Sequence, residues 1–129
     1  MNPAPGFKKY PGHRVSTHPS SAHVKDMLGS EVIADTREAV ELHESVGEGK
    51  KTVAPVVYYI PRKDVKMERL ARTAHSTHCP FKGDASYFSV ANGPENAVWS
   101  YESPFDEMLA LKERLAFYPD KFEIKSSAA

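Results

Sequence analysis

Hydrophobic and polar positions alternate with a period of two over much of this chain. Residues 23–28 and 31–36 read as two strands, and Gly29-Ser30 between them supplies a tight turn, so the pair is predicted to be a hairpin. Val40-Glu41-Leu42-His43-Glu44 alternates apolar and polar as a half-buried strand does, with helix as the other reading, and Glu48-Gly49-Lys50 closes it as a loop. Residues 56–60, Val-Val-Tyr-Tyr-Ile, are β-branched and aromatic and end at Pro61, the strongest strand pattern in the chain. Asp64 then stands as an N-cap, and Met67, Leu70, Ala71 and Ala74 recur at helical spacing, which predicts a short helix over 65–73.

Residues 84–91 and 95–102 are two further strands around Asn92-Gly93-Pro94. A three-residue loop sets Tyr87 opposite Trp99 on the face shared with Tyr101, whereas a two-residue loop sets Phe88 there. Ser103-Pro104-Phe105-Asp106 begins a second short helix with Phe105, Met108 and Leu109 as its apolar stripe. Residues 115–118 and 122–124 read as closing strands around Pro119-Asp120. Strands that follow one another without crossover helices predict a mainly β, antiparallel domain with one or two short helices.

The length of 129 residues suits one domain, residues 1–129, that buries about two thirds of its unfolded surface. Within it, residues 1–21, rich in Pro, Ser and His, are expected to form an extended arm. Residues 22–124 are the β core and 125–129 a tail. Thirteen aromatic residues and 40% apolar content exclude a disordered chain. The longest apolar run, residues 53–60 broken by Pro55, falls far short of the roughly 20 residues of a membrane helix. No secretory signal is visible near the first residue, so the expected location is cytoplasmic, without a membrane partner.

Seventeen basic and seventeen acidic side chains cancel, which argues against a nucleic-acid partner. The charges are nonetheless blocked. Residues 1–30 carry four basic and one acidic side chain, and residues 31–49 six acidic and one basic. Residues 50–72 carry seven basic and two acidic side chains, and the remainder five basic and eight acidic. Such blocks are either solvated surface or the two walls of a bipolar cleft.

The single cysteine excludes an internal disulfide. Cys79, followed by Pro80 and by Lys82, is either a small buried hydrophobe or a nucleophile activated by His75, His78 or Lys82. His75-x-x-His78-Cys79 offers three metal donors, but adjacent His and Cys fit one tetrahedral ion poorly and a fourth ligand is missing, so no metal or other cofactor is expected. Arg62, at a strand end, suits carboxylate or phosphate recognition or else a surface ion pair. Tyr58, Tyr59, Tyr87, Trp99 and Tyr101 are core rings or, with Arg62, Lys82 and Glu44, the lining of a small-ligand pocket. Phosphate-loop, dinucleotide-binding, serine-hydrolase and zinc-protease motifs are absent from the sequence.

Several blocks together resemble a known family, domain-of-unknown-function family number 427. They are Val32-Ile33-Ala34-Asp35-Thr36, Leu42 with Glu44, and Tyr58-Tyr59-Ile60-Pro61-Arg62-Lys63-Asp64-Val65. Next come Cys79-Pro80-Phe81-Lys82-Gly83-Asp84-Ala85-Ser86-Tyr87, Trp99-Ser100-Tyr101, Pro104 and Ala116-Phe117-Tyr118-Pro119. The resemblance implies a compact β-tent-like domain of two small antiparallel sheets. Many β-tent relatives carry a four-cysteine zinc site, for which this sequence has only Cys79. The family is also labelled nucleotidyltransferase-like, a pattern that needs a Gly-Ser followed at a distance by paired metal-binding acids. Here Gly29-Ser30 is followed closely by Asp35 with no partner acid, so that label does not fit.

Motif membership nominates Glu44, Tyr59, Arg62, Lys82, Tyr87, Trp99 and Tyr101 as ligand-binding residues, with Cys79 as the catalytic candidate. The leading expectation is a small anionic ligand held in an aromatic pocket lined by Arg and Lys. An enzyme using Cys79 and a protein-interaction module are the alternatives.

Overall fold

A computed structural model describes residues 2–46 and 52–128, leaving aside the side chains of Thr52 and Val53. The one-turn helix α1 (Gly6–Lys9) is followed by β1 (Arg14–Pro19), β2 (His23–Leu28), β3 (Glu31–Thr36), β4 (Val40–Val46), β5 (Thr52–Val53) and β6 (Val57–Tyr59). Then come β7 (Leu70–Cys79), β8 (Gly83–Val90), β9 (Val98–Tyr101), β10 (Leu115–Phe117) and β11 (Glu123–Ser127). The fold is mainly β, as expected, but its strands form three antiparallel sheets and not two.

One sheet has β4 between β1 and the short β5 and β6; a second runs β11-β2-β3; the third runs β10-β9-β8-β7. An isolated bridge ties Ala34 of β3 to Val65, and another, from Ile60 to Leu115, links the first sheet to the third. Pro61 follows Ile60 and has no N–H to extend that ladder, which is one reason the sheets stay separate.

The β7–β10 sheet is the wall between two cores. Phe88, Val90, Val98, Leu115 and Phe117 face Val24, Ile33 and Ala34 of the β2–β3 sheet. From the other side of the same strands, Ala85, Tyr87, Tyr101 and Ala116 meet Val15, Val40, Leu42 and Tyr59 of the β1–β4 sheet. Tyr59, Ile33, Leu42, Ile60, Leu111 and Leu115 are fully withdrawn from solvent, each contributing about 1.5–3 kcal/mol by burial.

The hairpin expected at 23–36 forms with the predicted ends. Asp26 pairs with Ala34 but Met27 pairs with Val32, so Ile33 is an extra residue on β3. This bulge lets the successive residues Ile33 and Ala34 both face the core. Residues 40–44 are strand, and the strand expected at 56–60 is β6 followed by the Ile60 bridge. Tyr87 pairs with Trp99, the register of the three-residue loop, although the connection is longer, running from Ala91 to Ala97. Asn92 and Asn96 adopt positive φ within it, which Asn tolerates better than most residues.

Three local expectations fail. The helix over 65–73 is instead two 3-10 turns, Arg62–Asp64 and Met67–Arg69, followed by the ten-residue strand β7. Met67 and Leu70 pack on a core, but Ala71 and Ala74 are exposed, so the apparent stripe is not one buried face. Asp64 is not a helix cap; its carboxylate accepts the Thr36 hydroxyl at 2.7 Å. The second helix is a 3-10 segment, Asp106–Leu111, that begins after Phe105 without a side-chain cap. It buries Met108 and Leu111 and leaves Leu109 exposed.

Residues 14–19, read as part of an arm, pair with β4 along their whole length. Residues 125–127, read as tail, continue β11 against β2. The loop expected at 48–50 lies outside the described residues. Among the described residues no helix is long and apolar enough to cross a membrane.

One carboxyl is placed at odds with its chemistry. Asp26 is 1% exposed, its Oδ1 has no hydrogen-bond partner, and burial pushes its pKa up to about 7. Between the ordinary carboxylate range and about pH 7 the unfolded chain ionises at this position before the folded one. Stability therefore falls as pH rises through that window, by on the order of 4 kcal/mol in total. Asp26→Asn is expected to be more stable than the parent at pH 8 and equal to it near pH 4. Urea unfolding at the two pH values checks this, and an equal difference at both would contradict it.

Candidate functional site

Glu44, Tyr59, Cys79, Lys82, Tyr87, Trp99 and Tyr101 gather around the core on the β1–β4 side of the wall. Strand alternation does most of this. Tyr87 on β8 and Trp99 and Tyr101 on β9 point the same way because they occupy alternate or directly paired positions. Tyr59 comes from β6 across the interior. Its hydroxyl accepts the Trp99 Nε1–H at 3.1 Å, and its ring lies 6.3 Å from that of Tyr101. Burial pushes the phenols of Tyr59 and Tyr101 well above their ordinary range, so both are neutral donors or acceptors at neutral pH.

Lys82 sits in the three-residue connection between β7 and β8. Gly83, at φ 117°, makes that turn in a region L side chains rarely enter, and the Lys82 carbonyl accepts the Phe105 N–H at 3.1 Å. The ammonium bonds Glu44 Oε1 at 3.4 Å and lies 6.0 Å from the centre of the Tyr101 ring. Glu44 Oε2 accepts from His13 Nε2 at 2.6 Å. The three charged or titratable side chains are only 18% (His13), 24% (Glu44) and 13% (Lys82) exposed. Cys79, half-buried, closes β7 opposite Gly83 and packs against this core.

His13 was not among the residues nominated by sequence, because it lies in the Pro-rich start of the chain. It comes in just ahead of β1, where Val15 pairs with Glu44. Its ring stacks on Phe81 at 4.1 Å, and it forms one wall of a cavity of about 370 Å³ with Phe7, Arg14 and Ser16. Tyr118 was also missed as a site residue. It stacks on Tyr87, its hydroxyl lies 3.3 Å from the Tyr87 hydroxyl, and Thr77 Oγ1 lies 3.0 Å from the latter. Burial and the bond to Tyr87 push Tyr118 up to about 12. The block Ala116-Phe117-Tyr118-Pro119 was a signal that could have placed it.

Arg62 stands apart. It reaches the opposite face of the wall, where its Nη2 donates to Glu102 at 2.9 Å and its Nε to the Glu113 carbonyl at 2.6 Å. Arg72 grips the same carboxylate, Nη1 to Oε1 at 2.8 Å, and Ser86 donates to it at 3.0 Å. Both guanidinium groups lie over the Phe88 ring. The Arg72 bond foremost, with help from Arg62 and Ser86 and against the effect of burial, holds the Glu102 carboxyl down at about 2.

The histidines beside Cys79 do not converge on one point. His75 packs edge-on against Tyr87, whereas His78 bonds Asp84 at 2.7 Å. Among the described residues no group of three or more His, Cys, Asp and Glu side chains is arranged to hold a metal ion. A four-cysteine zinc site does not fit a chain with Cys79 alone.

A mainly β domain of three small antiparallel sheets, with ordered motif blocks spread over all three, defines the class of this protein. The chain belongs to the family described as domain of unknown function DUF427, whose model matches residues 16–127. The match takes in every strand from β2 to β11 and most of β1, and it begins after His13. No curated protein matches the sequence.

The Glu102 clasp has a pH signature opposite to that of Asp26. A carboxyl whose folded pKa is depressed adds stability above its ordinary range and loses it as pH falls toward about 2. Glu102→Gln is expected to cost about 1 kcal/mol at pH 7, allowing for the partial exposure of the pair. The gap from the parent should close as pH falls from about 4.5 to about 2. Thermal unfolding across that range measures it; a gap that persists in acid would mean the side chain acts by packing alone.

Proposed function

We propose that this domain binds a small anionic molecule at the corner where His13, Glu44 and Lys82 meet the tyrosine cluster. The observation that carries the reading is the state of Lys82. Its side chain is 13% exposed, yet the one described hydrogen bond of its ammonium is the long contact of 3.4 Å to Glu44. An ammonium carries three donors, and withdrawal from water is costly unless they are used. An incoming carboxylate or phosphate oxygen supplies the missing acceptor.

The neighbourhood suits such a ligand in two further ways. The cavity beside His13, which Glu44 and Lys82 do not themselves line, offers the Phe7 ring as an apolar wall and Arg14 as a second cation. The Tyr101 ring, packed in turn against Tyr59, lies 6.0 Å from the Lys82 ammonium and backs the corner. Arg62 is left out of this proposal, since its guanidinium is engaged with Glu102 on the other face.

Thermal unfolding in the presence of a panel of small carboxylates and phosphates tests the proposal. A binder is expected to raise the parent's Tm and to lose about tenfold in affinity in Lys82→Ala, the worth of one charge-assisted hydrogen bond. Arg62→Ala should retain the full shift. A Lys82→Ala variant that is folded and stabilised as much as the parent would overturn the reading.

A further inference from the structure

On the far side of the molecule from His13, the start of β4 and the connections around it enclose a second cavity. It measures about 540 Å³ and is lined by Ser20, Ser21, Arg37, Glu38, Arg114 and their neighbours. Arg114 donates from Nη1 to the Glu38 carbonyl at 2.7 Å, and among the described residues no carboxylate pairs with it. Arg37 is exposed and has no described ion-pair partner. The Glu38 carboxylate at the rim is taken by Lys63, which also approaches Asp64 at 3.9 Å. Burial works against the charge of Arg114, while Glu38 works in its favour.

The nearby carboxylates are already engaged, Glu38 with Lys63, and Asp64 with the Thr36 hydroxyl while Lys63 stands 3.9 Å away. Two guanidinium groups are left with unused donors at one concavity. A guanidinium presents five N–H groups in a fixed plane, and the geometry that satisfies them best is a carboxylate or phosphate edge. Arg114 also lines an adjoining concavity of about 220 Å³ with Pro61, Arg62, Lys112 and Glu113, so the space beside an anion held there is bordered by further cations and one acid.

From these observations we infer a second anion-binding site, in which Arg37 and Arg114 bind a phosphate group. Two unneutralised cations match a dianion better than a carboxylate, which brings one charge. Ser20 accepts the Ala22 N–H and turns its own O–H to Glu41, which leaves Ser21 to contribute its hydroxyl to the anion. This site shares no residue with the His13–Glu44–Lys82 corner and stands or falls independently of it.

The test is a titration of the full chain with inorganic phosphate, followed by NMR of the arginine Nε–H and backbone amide signals. Ionic strength is held constant and acetate serves as the monoanion control. Saturable shifts at Arg37, Arg114 and Ser21 are expected with phosphate, and weaker ones with acetate. Arg37→Gln, which removes no described hydrogen bond and so leaves the fold intact, should weaken phosphate binding about tenfold. Arg114→Gln should weaken it at least as much. Shifts that are unsaturable, that match between phosphate and acetate, or that survive in Arg37→Gln would overturn the site.

Discussion

The constraint on which this structure depends is the two-sidedness of β8 and β9. Side chains of a strand alternate between faces, and in most small antiparallel sheets one face is left to water. Here both faces are covered. Ala85 and Tyr87 look toward the β1–β4 sheet, while Phe88 and Val90 look toward the β2–β3 sheet. A slip of one residue in the pairing of Tyr87 with Trp99 would exchange the contents of both cores at once, so the register is doubly specified. A domain of this size gains much of its stability from sharing one wall between two apolar interiors, because each additional free sheet face would cost surface it cannot bury.

The same wall explains why two similar charge arrangements differ in character. On each face a carboxylate near the strand ends is held by two basic side chains, with an aromatic ring beneath the cations. Glu102 is held by two arginines in short, fork-like bonds of 2.8 and 2.9 Å, a geometry that favours permanence. Glu44 is held by a histidine at 2.6 Å and a lysine at 3.4 Å, single contacts without the planar fork of a guanidinium. The first arrangement works as a clasp between the β7–β10 sheet and the turn after Pro61. The second has capacity to spare, which is why it, and not the stronger ion pair, is the better place to look for a ligand.

The β2–β3 hairpin was legible because its signal is local, a Gly-Ser turn between two apolar runs, whereas the pairing of Tyr87 with Trp99 was one of two registers the sequence left open. Strand β7 was not legible, since it is an edge strand with seven of its ten residues exposed and no apolar period to read. Its helical look came from two alanines that face water. Arg62 was correctly read as a strand-end cation, yet nothing in the sequence says which side of a sheet a residue takes after a proline turn. His13 was invisible for a different reason. Its partner Glu44 lies 31 positions away, and only the pairing of β1 with β4 brings the two together.

The block Cys79-Pro80-Phe81-Lys82-Gly83 invites a catalytic reading of its cysteine, but its contacts describe a support. Gly6 approaches Phe81 so closely that a Cβ there would lie 2.7 Å from the ring, and the Gly6 N–H donates to the Pro80 carbonyl. Phe7, Tyr10 and His13 all pack on the same ring. Bonds from Asn2 and Ala4 to Asp106 and Glu107 tie the preceding residues to the 3-10 segment. Phe81 is therefore the anchor that brings the first residues of the chain, and with them His13, over Glu44. Gly83 on its other side sets the backbone from which Lys82 extends. One turn thus positions both partners of Glu44, and that joint placement accounts for the Pro, Phe, Lys and Gly of the block without requiring any chemistry of Cys79.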